Sequence, residues 1–163
     1  MPKRLAILLM TVLFALAPSS FAGGKREEKA QISFHIETEE SDNPKMIFPF
    51  NTGGKQRYFR RLPEVSLRDF SSFSPFPSDD GATYGLVFRL KPNAANRFNA
   101  VTSVNQGKWL VASVNGRFVD AVMIDKPVND GLVVIWQGVS LPEIQLLDET
   151  LPRFGEKKPK KKK

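Results

Sequence analysis

Apolar and polar residues alternate from Ala30 to Glu37, with Ile32, Phe34 and Ile36 on one side and Gln31, Ser33 and His35 on the other. A period of two predicts a half-buried strand and puts His35, the only histidine, on its polar surface face. Ser41-Asp42-Asn43-Pro44 is a turn signal. The apolar run Lys45 to Phe50 reads as a second strand, and Pro49 assigns it to an edge or an end. Asn51-Thr52-Gly53-Gly54 turns the chain into a short third strand over Gln56 to Arg61. Ser66, with Asp69 three residues on, caps one or two helical turns.

The stretch from Ser71 to Gly81 breaks the pattern. Pro75 and Pro77 argue against regular structure, while Phe70, Phe73 and Phe76 are too apolar for a free linker. The expectation is an aromatic loop strapped over the core by its phenylalanines, or one that docks a partner through Phe73 and Phe76.

From Ala82 onward the punctuation is clear. Thr83 to Leu90 alternates as a strand. Pro92 suits the first turn of a helix whose apolar side is Ala94, Ala95, Phe98, Val101 and Thr102, ended by Gly107. Trp109 to Val114 and Phe118 to Ile124 flank Asn115-Gly116, the pair that a type I′ hairpin turn requires. Asn129-Asp130-Gly131 is another tight turn. The unbroken apolar run Leu132 to Trp136 predicts a central strand covered on both faces. Ser140 and Glu143 form a capping box for a last helix carrying Ile144, Leu146 and Leu147. The fold class is therefore α+β: a mainly antiparallel sheet with two helices packed on one face, plus N-terminal strands.

The first 22 residues read as a leader. Lys3 and Arg4 precede the apolar run Leu5 to Ala17, and Ser20-Phe21-Ala22 is a small-x-small site. That is a secretory signal peptide with cleavage after Ala22; the run is shorter than the roughly 20 residues of a spanning helix. Export to the periplasm or the extracellular space follows. With no cysteine, stability must come from the core rather than from disulfides, and 13 phenylalanines and 2 tryptophans supply its bulk. The expected organisation is a signal peptide over 1–22, a flexible leader over 23–29, one domain over 30–155, and a tail over 156–163.

Net charge is +7, but its distribution matters more. Without the two basic residues of the signal peptide and the six lysines of the tail, the 24 fall to sixteen, against 17 acidic residues. The body is nearly neutral. Lys157, Lys158, Lys160, Lys161, Lys162 and Lys163 form a basic tail suited to an anionic envelope surface or simply to solvation. Nucleic acid is not an expected partner, because the body has no basic patch with interleaved aromatics.

Little points to catalysis. The serines lack a Gly-x-Ser-x-Gly context, and no glycine loop has the strand-to-helix setting that cradles phosphate. Asp120, Asp125 and Asp130 recur every five residues, a spacing that neither helix nor strand gathers on one face. With Asp79 and Asp80 they make the alternative reading, a carboxylate-based hydrolase or metal-dependent enzyme. No cofactor is expected.

The run Tyr84-Gly85-Leu86-Val87-Phe88-Arg89-Leu90 carries a resemblance, together with Ala95 to Phe98, Thr102, Asn105, Gly107, Leu110, Asn115-Gly116, Ile124, Gly131, Val134-Ile135 and Glu143-Ile144. Over Ala82 to Leu151 the chain resembles the first periplasmic domain of SecD, the membrane subunit that assists protein export through the Sec translocon. Where that family has Ile-Ser-Gly, this chain has Ile135-Trp136-Gln137-Gly138. The family's transmembrane segments and proton-conducting carboxylates have no counterpart here. The resemblance implies a stand-alone SecD-like head fold and contact with polypeptide, not translocase activity. The resulting expectation is a non-catalytic binding or interaction protein of the cell envelope, with a polypeptide or an anionic envelope surface as partner.

Overall fold

The computed structural model describes residues 29–157. Residues 1–28, which hold the expected signal peptide and most of the expected leader, and the lysines beyond Lys157 lie outside the described residues. Nine strands, two α-helices and one short 3-10 turn follow in order among the described residues: β1 Ile32–Thr38, β2 Ile47–Thr52, β3 Lys55–Arg60, β4 Val65–Ser66, the 3-10 turn Leu67–Asp69, β5 Phe70–Pro77, β6 Tyr84–Leu90, α1 Pro92–Val104, β7 Trp109–Val114, β8 Arg117–Met123, β9 Leu132–Val139 and α2 Leu141–Asp148. All strand pairings in these sheets are antiparallel. The α+β class is as the residue pattern implies.

The strands divide between two sheets. One is six-stranded, in the order β2-β3-β1-β7-β8 with β4 paired to β1; the other is three-stranded, in the order β5-β6-β9. The larger of two core clusters lies between them. Ile32, Phe34 and Ile36 of β1 and Leu110, Ala112 and Val114 of β7 meet Leu86, Phe88 and Leu90 of β6. Ala94 and Phe98 of α1 and Ile144 and Leu147 of α2 join the same cluster. Phe70 stacks on Phe88, centroids 4.3 Å apart, and Phe34 meets both rings edge-on.

The second face of the larger sheet is covered by the β2–β3 hairpin, whose Phe48 and Phe59 pack on Val111. His35 lies inside this layer and not on the surface. Its ring meets the Phe48 edge at 5.4 Å, and only 9% of the residue is exposed. Nδ1 is 2.8 Å from the Arg60 carbonyl and Nε2 is 2.8 Å from the Ser33 hydroxyl. A neutral ring satisfies both contacts, with Nδ1–H donating to the carbonyl and Nε2 accepting from the hydroxyl. Burial lowers its pKa from 6.5, and the hydrogen bonds to the Arg60 and Arg61 backbone only partly oppose this. Period-two alternation could not reveal a second buried face, because the covering hairpin comes from elsewhere in the chain.

Local signals fall where the pattern places them. Asn115 and Gly116 have φ of 50° and 80°, as a type I′ turn demands. The Asp69 carboxylate accepts from both N–H and O–H of Ser66, and Glu143 does the same for Ser140. Burial pushes both carboxyls up, but these bonds and the guanidinium partners, Arg97 and Arg117 respectively, hold them below the usual range.

Two further expectations are corrected. The segment from Phe70 to Pro77 is a strand, not an irregular loop. It runs along the edge of the smaller sheet, where proline is tolerated. The Phe73 N–H points away from β6 and donates to the Pro152 carbonyl at 3.1 Å. Pro75 and Pro77, two and four residues on, share that outward side, where a missing N–H breaks no ladder bond. The second correction concerns β9, which is the other edge strand of this sheet and not a central one. Its Trp136 is 58% exposed.

Candidate functional site

The smaller sheet has one face in the core and one outside it. Leu86, Phe88 and Leu90 point inward from β6, so Gly85, Val87 and Arg89 point outward. Cross-strand register carries the outer face sideways. Val87 is opposite Ser74 on β5 and Val134 on β9, Arg89 is opposite Ser72 and Leu132, and Gly85 is opposite Phe76. Leu132, Val134, Val87 and Phe76 are half-buried, and none packs against either core cluster. Trp136 completes the row, its ring edge-on to Phe76 with centroids 6.1 Å apart.

Gly85 makes this arrangement possible. A Cβ at this position would lie 2.2 Å from Phe76 Cζ, so the phenylalanine ring occupies the space a side chain would fill. The ring lies across the bare backbone of β6 and reaches toward Trp136 on the far strand. The result is an aromatic pair at one end of an outward apolar face, with aliphatic Val87 and Val134 beside it.

At the other end stands Arg89. It is exposed, and its guanidinium lies over the Phe154 ring, 5.1 Å from the centroid. Phe154 is held there by the C-terminal segment, which bridges the β5 edge. Its N–H donates to the Phe73 carbonyl at 2.9 Å, and Arg153 grips Asp148 with two 2.8 Å bonds.

The residues singled out from sequence part company here. Phe73 is fully buried and belongs to the core. Phe76, three residues later, projects to the opposite face and belongs to the outer surface. Lys157 is exposed just past the C-terminal bridge, while Lys158, Lys160, Lys161, Lys162 and Lys163 lie outside the described residues. Of the carboxylates, Asp80 accepts from the Ala82 and Thr83 N–H groups, and Asp130 accepts from Leu132. Asp120 accepts the Trp136 N–H at 2.7 Å, linking the edge of β8 to that of β9. Among the described residues no group of three or more His, Cys, Asp or Glu side chains is placed to hold a metal ion.

Sequence reading missed Gly85, Val87, Arg89, Val134 and Trp136. One signal was present: an unbroken apolar run is compatible with a strand covered on both faces or with one whose second face awaits a partner.

No family model and no curated protein matches the chain. Solved structures do. In fold, the chain is similar to SecDF. One matching chain is described as a membrane component SecDF that enhances protein export; it is 19% identical with a TM-score of 0.52, over 74% of this chain and 61% of that one. A second is SecDF in a super-membrane-facing form, 20% identical with the same TM-score, over 74% of this chain and 19% of that one. At 74% of the chain, the likeness covers more than the segment from Ala82 to Leu151. This chain thus spans under two thirds of the first SecDF chain and about one fifth of the second. Among the described residues no helix is long and apolar enough to cross a membrane.

Proposed function

We propose that the protein is a non-catalytic, exported binding module of the cell envelope that holds polypeptide on the outer face of its β5-β6-β9 sheet. One observation carries this reading: the row Phe76, Val87, Val134 and Trp136 faces outward without packing on either core. An outward apolar sheet face with an exposed tryptophan is a recurrent mark of interaction surfaces. The SecD-like fold supports the envelope setting, as do the leader over 1–22 and the basic tail. Three of the five carboxylates named for an enzyme, Asp80, Asp120 and Asp130, accept backbone N–H groups.

A permanently unfolded polypeptide, such as a reduced and amidomethylated globular protein, provides the test. Binding should blue-shift the emission of exposed Trp136, and replacing Phe76 and Trp136 together by Ser should weaken binding by about tenfold, as hot-spot aromatics do. Absence of binding, or equal binding by the double variant, rejects the proposal.

A further inference from the structure

Arg89 is anomalous in its setting. It rises from the middle strand of an outward apolar face, with Leu132 on one side and Ser72 on the other. Five arginines form ion pairs among the described residues, namely Arg57, Arg60, Arg97, Arg117 and Arg153, and Arg89 is not one of them. Its guanidinium is held over the Phe154 ring, which leaves its N–H donors unmatched by any carboxylate. From Phe154 the chain continues through Gly155 and Glu156 to Lys157, all three exposed. The opposite end is of mixed sign, with Arg117 bonded to the Gly138 carbonyl. There β5 runs into the turn of Asp79 and Asp80, and the Asp120 carboxylate accepts the Trp136 backbone N–H.

Resting on the reading of this face as a polypeptide-binding surface, we infer that its partner is an apolar polypeptide segment with acidic residues at one end. The apolar part lies over Phe76, Val87, Val134 and Trp136, and an acidic side chain pairs with Arg89. The strand sets the spacing. Gly85, beneath the Phe76 ring, and Arg89 are four residues apart on β6, which is about 13 Å at strand rise. The acidic residue of an extended partner therefore falls about four positions from the apolar residue seated on the aromatic pair. Orientation follows from Arg89, whose guanidinium over the Phe154 ring marks where the acidic end lies. Arg suits this role, since its planar fork accepts a carboxylate with two bonds.

Two synthetic peptides decide the matter, sharing one apolar core and carrying at the same end either three aspartates or three lysines. The mature full-length chain is titrated with each, with Trp136 emission as readout, alongside phosphatidylglycerol vesicles. The aspartate peptide should bind about tenfold more tightly than the lysine peptide at low salt, and the preference should shrink as salt rises. Arg89→Gln, an exposed substitution that leaves the core intact, should bring the two peptides to within about threefold of each other. Equal binding of both peptides by the wild type overturns the charge-specific partner but leaves the apolar binding face standing. A preference unchanged in Arg89→Gln also overturns it and assigns the selectivity to the tail. Vesicle binding with neither peptide bound, or no binding at all, overturns both this inference and the reading beneath it.

Discussion

Phe76 and Gly85 face each other across β5 and β6, and the phenylalanine ring fills the volume that a side chain on Gly85 would need. The pair packs the edge strand against the middle strand of the smaller sheet. It also delivers the Phe76 ring to Trp136. Gly85 does not have positive φ, so alanine there is a steric change and not a backbone one. Gly85→Ala should displace the Phe76 ring and cost about 1–3 kcal/mol in urea denaturation. Adding Phe76→Ala should recover part of that loss. Strict additivity in the double-mutant cycle would show that the two positions do not compete for space.

Phe73 and Phe76 should respond differently to truncation. Phe73→Ala removes a fully buried ring and should cost about 3–5 kcal/mol. Phe76→Ala should cost clearly less and act mainly on binding. Similar losses for the two would contradict their assignment to opposite faces.

Asp120 joins the two sheets through the Trp136 N–H. Asp120→Ala leaves that donor without its acceptor and should destabilise by about 1–2 kcal/mol, whereas Asp120→Asn retains an acceptor oxygen and should lose less. Asp79→Ala, on an exposed turn, should change stability by less than about 0.5 kcal/mol. Chemical denaturation of the three variants checks the order; an Asp120→Ala protein as stable as Asp79→Ala would rule out a structural role for this carboxylate.

The prolines of β5 protect an edge. Pro75→Ser with Pro77→Ser restores two outward N–H groups beside the C-terminal bridge, creating a short template for strand addition. The variant should stay folded but self-associate with rising concentration, as read by sedimentation. A monomer at every concentration would mean that the edge is guarded by something else.

Acid should weaken the fold first through His35. Above its ordinary pKa of 6.5 both folded and unfolded chains hold the ring neutral. Below it the unfolded chain takes up a proton that the buried ring resists, so stability falls as pH drops through the interval between the two values. Asp69 and Glu143 add to this at lower pH. Their folded carboxyls lie below the ordinary 3.8 and 4.5, so their contribution is lost as pH falls through the lowered values. His35→Asn keeps a donor near the Arg60 carbonyl and should flatten the stability profile between about pH 7.5 and about pH 5.5. An unchanged slope would place the titrating group elsewhere.

Most elements were legible because their causes are local. The Asn115-Gly116 turn, the Ser66 and Ser140 caps and the Pro92 helix start each depend on a few neighbouring residues, and the residues alone determine them. The α+β class follows from the same periodicities. Three features were not legible, and all depend on what packs against what. His35 is buried because a hairpin from Ile47 to Arg60 covers the second face of β1. Pro75 and Pro77 fit a strand because β5 is an edge whose outward nitrogens need no sheet partner. Trp136 is exposed because nothing in either described core cluster packs over the outer face of the smaller sheet, so the apolar run around it has one face in the core and one face outside. Sequence by itself determined where the chain turns and which side of each segment is greasy; only the tertiary arrangement decided which greasy sides are covered. Coverage is a property of non-local neighbours, and Phe76, Val87, Val134 and Trp136 form a surface because no other part of the described core packs over them.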